Sequence, residues 1–116
     1  MTFSTEHITD DFMRERLAQS KAYTVMLLKQ GPNWDTPDRD ATIWEHGRRN
    51  FALRADGVLA IVVPIPDESQ WCGLGIFDAS ADEVARIMDA DPGVRAGIFE
   101  YEIHPGRAFP GDQLPA

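Results

Sequence analysis

The side chains best placed to do chemistry in this sequence are charged or polar groups standing where apolar ones are expected. In Ser80-Ala81-Asp82-Glu83-Val84-Ala85-Arg86-Ile87-Met88-Asp89-Ala90-Asp91, the residues Val84, Ile87 and Met88 recur at helical spacing, and Asp91 falls next on their line. A carboxylate aimed at a core must be neutralised, hydrogen-bonded or used. A second segment, Ile43-Trp44-Glu45-His46-Gly47-Arg48-Arg49-Asn50-Phe51-Ala52-Leu53-Arg54, repeats the anomaly. At about 100° per residue, Ile43, Trp44, Gly47 and Phe51 form an apolar arc flanked by Leu53, with Glu45, Arg48, Arg49 and Ala52 pointing the other way. His46 and Asn50 then fall between Leu53 and Ile43, on the side expected to be buried. A His46–Asp91 pair would give acid/base chemistry: the carboxylate holds one imidazole nitrogen and fixes the tautomer, leaving the other to move protons near neutral pH. No nucleophile stands out, so proton transfer is expected rather than covalent catalysis.

Structural roles compete with these. Asp91 before Pro92 has the form of an N-cap with proline at the first helical position, and capping does not exclude pairing with His46. A lone helical histidine is more often a satisfied structural residue than a catalyst. His104 reads as an ordinary polar residue at a strand end, Cys72 as a small buried hydrophobe, and Arg48 and Arg49 as a solvated face. Arg54 either snorkels at the helix end or binds an anion. His46, His104 and Asp91 have no metal-ligand spacing, and Gly73-Leu74-Gly75-Ile76 lacks the third glycine of a phosphate loop, so neither metal nor cofactor is expected.

These residues must be positioned by a small set of elements. Asp10 or Asp11 is expected to cap a short helix reaching Ser20. Ala22 to Lys29 is a strand apolar on both sides, hence covered on both faces. Gln30 to Arg39 is a loop, Asp40 to Ala55 a helix stopped by Asp56-Gly57, and Val58 to Ile65 and Gln70 to Phe77 are strands. Ser80 with Glu83 forms a capping box for the next helix, Ile98 to His104 alternates as a fourth strand, and the tail from Pro105 is expected to be irregular. The order β-α-β-β-α-β is ferredoxin-like, an α+β fold with a four-stranded antiparallel sheet and both helices on one face. The parts are then an N-terminal extension over 1–21, a domain over 22–105 and a tail over 106–116. The bare sheet face calls for a second copy, so a homodimer is expected.

The formal net charge of −8 argues against nucleic acid or an anionic membrane as partner. One cysteine excludes an intrachain disulfide and suits a reducing compartment. No apolar run approaches the ~20 residues of a membrane span, and the polar start has no secretory pattern, so a cytoplasmic protein is expected.

Over about residues 22–105 the chain resembles the YCII-related family. The resemblance lies in the histidine-bearing helix, Gly75-Ile76-Phe77, Ala90-Asp91-Pro92, Ala96-Gly97 and a last strand ending in His104-Pro105. It implies a dimeric ferredoxin-like fold similar to muconolactone isomerase, and a His–Asp dyad at His46 and Asp91. Some members act on hydroxylated or chlorinated aromatic compounds as dehydrochlorinases. Ile43 stands where members commonly carry an arginine, so any substrate-holding task of that arginine would pass to Arg49 or Arg54. The expected activity is a cofactor-independent lyase or isomerase acting on a small aromatic or enolisable molecule. His46 would be the acid/base, Asp91 its orienting partner, and Asn50, Arg54 or Arg49 would hold the substrate. The cleft is expected between the His46 helix, the Gln30–Asp40 loop and the sheet. The alternative is a non-catalytic small-molecule-binding or accessory protein on the same dimeric scaffold; haem binding is a third.

Overall fold

The computed structural model describes residues 2–116. The elements run α1 (Asp10–Ala18), β1 (Lys21–Gln30), α2 (Arg39–Ala55), β2 (Leu59–Pro64), β3 (Trp71–Phe77), α3 (Ala81–Asp89), α4 (Pro92–Arg95) and β4 (Phe99–Ala108). The strands form one antiparallel sheet in the order β2-β3-β1-β4. This is the ferredoxin-like α+β arrangement, with the apolar β1 in the interior of the sheet.

Alternation along β1 sends Thr24, Met26 and Leu28 inward under the helices. They meet Leu59, Phe77, Val84, Met88, Ile98 and Phe99 in a single core. Thr24 is tolerated there because its hydroxyl donates to the Ala79 carbonyl at 2.7 Å. The opposite face of the sheet carries Tyr23, Val25, Leu27, Ile61 and Ile76, none of them fully buried.

Three differences from the sequence expectations have physical causes. The cap of α1 is Thr9, whose hydroxyl accepts from the Phe12 amide, rather than Asp10 or Asp11. The fourth strand does not stop at His104 but continues through Pro105 and Gly106 to Ala108, pairing with β1 down to Lys21. Proline is compatible with that ladder because β4 is an edge strand, where a missing N–H need not leave a gap. Finally, Asp91 is not the end of the α3 stripe. The helix stops at Asp89 with Ala90 as its C-cap, and Asp91 opens the separate short helix α4.

The loop after β1 is strapped to the α4–β4 turn. Gly31 N–H donates to Ile98 O at 2.7 Å, Asn33 N–H to Gly97 O at 2.8 Å, and the Asn33 side chain to Ala96 O at 2.9 Å. Gly97 adopts φ +73°, the left-handed conformation that ends α4. This turn sets where β4 begins and so fixes Phe99 beside α4. No helix of the described residues is long and apolar enough to cross a membrane.

Candidate functional site

Asp91 is set in place by its own neighbours. The residue before a proline is driven to extended backbone, and extended backbone is what an N-cap requires. Asp91 accordingly sits at φ −68°, ψ 134°, and its Oδ2 accepts from Gly93 N–H at 2.9 Å and Val94 N–H at 3.3 Å. That use consumes one carboxylate oxygen. The other, Oδ1, faces α2 and accepts from His46 Nδ1–H at 2.8 Å. Capping and histidine pairing therefore coexist, one on each oxygen. The carboxylate is 1% exposed and the histidine 8%.

The far side of the imidazole is also engaged. Asn50, one helical turn on, donates from Nδ2 to His46 Nε2 at 3.2 Å. Together the two contacts describe a neutral ring with its proton on Nδ1 and its lone pair on Nε2. The Phe99 ring lies against the imidazole with centroids 4.8 Å apart, which limits the ring's freedom to turn.

Gly93 makes this packing possible. A Cβ there would come 2.5 and 2.8 Å from two Phe99 ring carbons and 3.1 Å from Asp91 Oδ2. Phe99 and Gly93 belong to the site although neither stands out in the sequence. Asp91-Pro92 announces a helix start but gives Gly93 no role, and Phe99 reads only as one more residue of an alternating strand.

His46 and Asn50 line a cavity of about 200 Å³ between α2 and the sheet. Its apolar walls include Met26, Leu28, Ile43, Val62 and Phe99. The Gln30–Asp40 loop does not line it; strands β2 and β3 close it instead, with Pro64, Cys72 and Gly73 at one side. Burial pushes the Cys72 thiol pKa up, which disfavours the thiolate.

The remaining residues singled out in the sequence separate by position. Arg49 does not point away to solvent as its place on the helix suggests. Its guanidinium Nη1 lies 3.7 Å from Asp91 Oδ1, within ion-pair range and beyond hydrogen-bond length, and is buried with no hydrogen-bond partner among the described residues. Arg49 thus backs the carboxylate and is not among the residues lining the cavity. Arg54 lies outside the cavity, stacked over Phe51 at 5.5 Å. It borders a separate, larger cleft of about 560 Å³ between the sheet and the C-terminal tail. His104 is on the bare side of the sheet, exposed and paired with Glu102 at 3.1 Å, so it does not converge with His46 and Asp91. No metal-binding cluster of His, Cys, Asp and Glu occurs among the described residues.

No family model matches the chain, and no curated protein sequence matches it. Among solved structures it is similar to 5-chloro-2-hydroxyhydroquinone dehydrochlorinase (TftG) from Burkholderia phenoliruptrix AC1100, in complex with 2,5-dihydroxybenzoquinone. The TM-score is 0.52 at 17% identity, covering 71% of this chain and 90% of that one. At that identity the likeness is one of fold: a small-molecule enzyme is built on the same ferredoxin-like scaffold.

Proposed function

We propose that this protein is a cofactor-independent lyase or isomerase that moves protons on a small aromatic or enolisable molecule. The observation that carries this reading is the 2.8 Å contact from His46 Nδ1 to Asp91 Oδ1, with His46 itself among the residues lining an apolar cavity. Substrate displaces the Asn50 amide from Nε2, which then takes a proton from a hydroxyl or an activated C–H of the substrate. Asp91 stabilises the imidazolium that results, and Nε2 returns the proton to another substrate atom or to a leaving group.

Asn50 suits this cycle. Its amide N–H occupies Nε2 in the resting site and, once substrate displaces it, is free to donate to a substrate oxygen. A cavity of about 200 Å³ accommodates a single ring, since apolar cavities near 150 Å³ hold benzene. The 2,5-dihydroxybenzoquinone held by the similar dehydrochlorinase is likewise one hydroxylated ring. Together with the resemblance to the YCII-related family, this points to hydroxylated aromatics, quinones or lactones. The half-exposed apolar face of the sheet supports a homodimer in which two such faces meet.

The test is a thermal-shift and turnover screen with phenolic acids, lactones and hydroxyquinones, run on wild type and His46→Ala. A ligand that stabilises both forms but is turned over only by wild type supports the enzyme. Full turnover by His46→Ala would sink it. Binding without turnover in either form would favour a small-molecule-binding protein.

A further inference from the structure

Besides the bare face of the sheet, two apolar surfaces on the helices are left uncovered, and they belong to different elements. The first is α1. Phe12, Met13 and Leu17 are 44%, 49% and 58% exposed, and none of the helix is buried. Among the described residues its side-chain ion pairing is internal, Arg14 to Asp11. The second is the outer face of α2, where Trp44 and Phe51 are 71% and 66% exposed on either side of Gly47. A Cβ at Gly47 would touch nothing within 4 Å, so a groove runs between the two aromatic rings. A bare glycine between two large side chains lets another helix approach closely.

α1 is also held away from its own body. Only Gln19 and Ser20 separate it from β1, and Arg107 clamps that joint, donating to Ser20 Oγ at 2.8 Å and to Ser20 O at 2.6 Å. The molecule is 55 Å long, with a radius of gyration of 17.0 Å, against about 13 Å for a compact chain of this length. A short helix with an unpaired apolar side is unstable alone in water, so one that forms here implies a surface that covers it. Charge indicates which surface. α1 carries Asp10, Asp11 and Glu15 against Arg14 and Arg16, a net −1, whereas α2, with Arg49 turned inward to Asp91, keeps Arg39, Arg48 and Arg54 against Asp40 and Glu45, a net +1.

We propose that α1 is an exchange arm: it docks, through Phe12, Met13 and Leu17, on the Trp44–Gly47–Phe51 groove of a second copy of this chain. The exchange is reciprocal, each copy giving an arm and receiving one, as a two-fold assembly requires. It does not rest on the acid/base reading, because Trp44 and Phe51 lie outside the cavity lined by His46 and Asn50, although Gly47 borders both.

The experiment is a mixed-chain cross-link in the full-length protein with Cys72→Ser. One tagged chain carries Glu15→Cys beside the arm's apolar side, and a differently tagged chain carries Arg48→Cys beside the groove. Both positions are exposed, so neither substitution disturbs the core. After co-expression and treatment with a short bismaleimide, a covalent dimer bearing both tags is expected. It should disappear when Phe12→Glu is added to the arm chain. A further preparation carries both cysteines on one chain. Three results would overturn the proposal: no link at all, a link only within that doubly substituted chain, or a link between two Glu15→Cys chains. The last two indicate an arm folded on its own α2, or arms paired with each other.

Discussion

The two sides of α2 invert the usual arrangement of a surface helix. Its inner side presents His46 and Asn50, while its outer side presents Trp44 and Phe51 to solvent. Each choice costs free energy in isolation: a buried polar group loses water, and an exposed aromatic ring gains none of the benefit of burial. The inner side is stable because every polar atom of the imidazole has a partner, Asp91 on one nitrogen and Asn50 on the other. The outer side has no such partner among the described residues. One side of the helix is finished and the other is not, which separates a site from a docking surface.

The inner side breaks most completely at Asp91, because both of its oxygens act as acceptors. Asparagine has only one acceptor oxygen. In Asp91→Asn that oxygen should stay with the Gly93 and Val94 amides, turning the NH2 group toward His46. His46 Nδ1 must then accept, the ring proton moves to Nε2, and the Nε2 lone pair is lost. Turnover should fall by about 10³- to 10⁴-fold, as when a histidine is held in the wrong tautomer, with the fold retained. Nitrogen-15 shifts of the ring would show the exchange of tautomers. A ring that still carries its proton on Nδ1 would refute this account of Asp91.

The packing behind the pair is tested by Gly93→Ala. The added methyl meets the Phe99 ring at 2.5 and 2.8 Å, and Phe99 is itself pressed against His46. Neither can yield freely, so the substitution should cost about 2 kcal/mol of unfolding free energy, read by urea denaturation. An unchanged midpoint would mean that α4 can shift, and that Gly93 does not fix the distance between Asp91 and His46.

How much of this is legible in the sequence depends on the range of the interaction. The strand and helix order, the Ser80 cap and the Asp91-Pro92 start of a helix are local, and the sequence shows them directly. The helix periodicity also locates His46 and Asn50 on the inner side of α2. It misassigns Arg49, because a long side chain can bend toward a carboxylate on a neighbouring element that a helical wheel does not contain. It also gives no reason to expect Trp44 and Phe51 in solvent, since an apolar arc reads as a buried one. By spacing alone Asp91 is the last residue of a stripe on α3, whereas it begins α4; the chain changes direction at Ala90, and periodicity carried across a helix end loses its meaning. The Phe99–Gly93 contact depends on the Gly31–Gly97 crossing, which no local pattern announces.

A smaller effect belongs to a polar group satisfied at the edge of the core. The Tyr101 hydroxyl donates to Asp89 Oδ1 at 2.6 Å. Burial first, and then Asp89, push its pKa up to about 12. The folded state thus holds the phenolic proton more tightly than the unfolded chain, where it leaves near pH 10. The stabilisation is complete below pH 10 and is lost as pH rises toward 12. Tyr101→Phe should cost about 1 kcal/mol at neutral pH, and the difference from wild type should shrink between pH 10 and 12. A constant difference across that window would remove the hydrogen bond to Asp89 as its cause.

The smallest effect is expected on the unfinished side. In dilute protein, where copies do not meet, Trp44→Ser should change the unfolding free energy by no more than about 0.5 kcal/mol, because the ring packs against little of its own chain. Raising the protein concentration should then separate the two proteins: wild type gains stability by association, and Trp44→Ser gains less. A loss of several kcal/mol in the dilute monomer would show that the outer side of α2 is part of the core after all. The contrast between the two faces of the helix would then fail at its simplest point, since a residue that the monomer needs cannot be held in reserve for a partner.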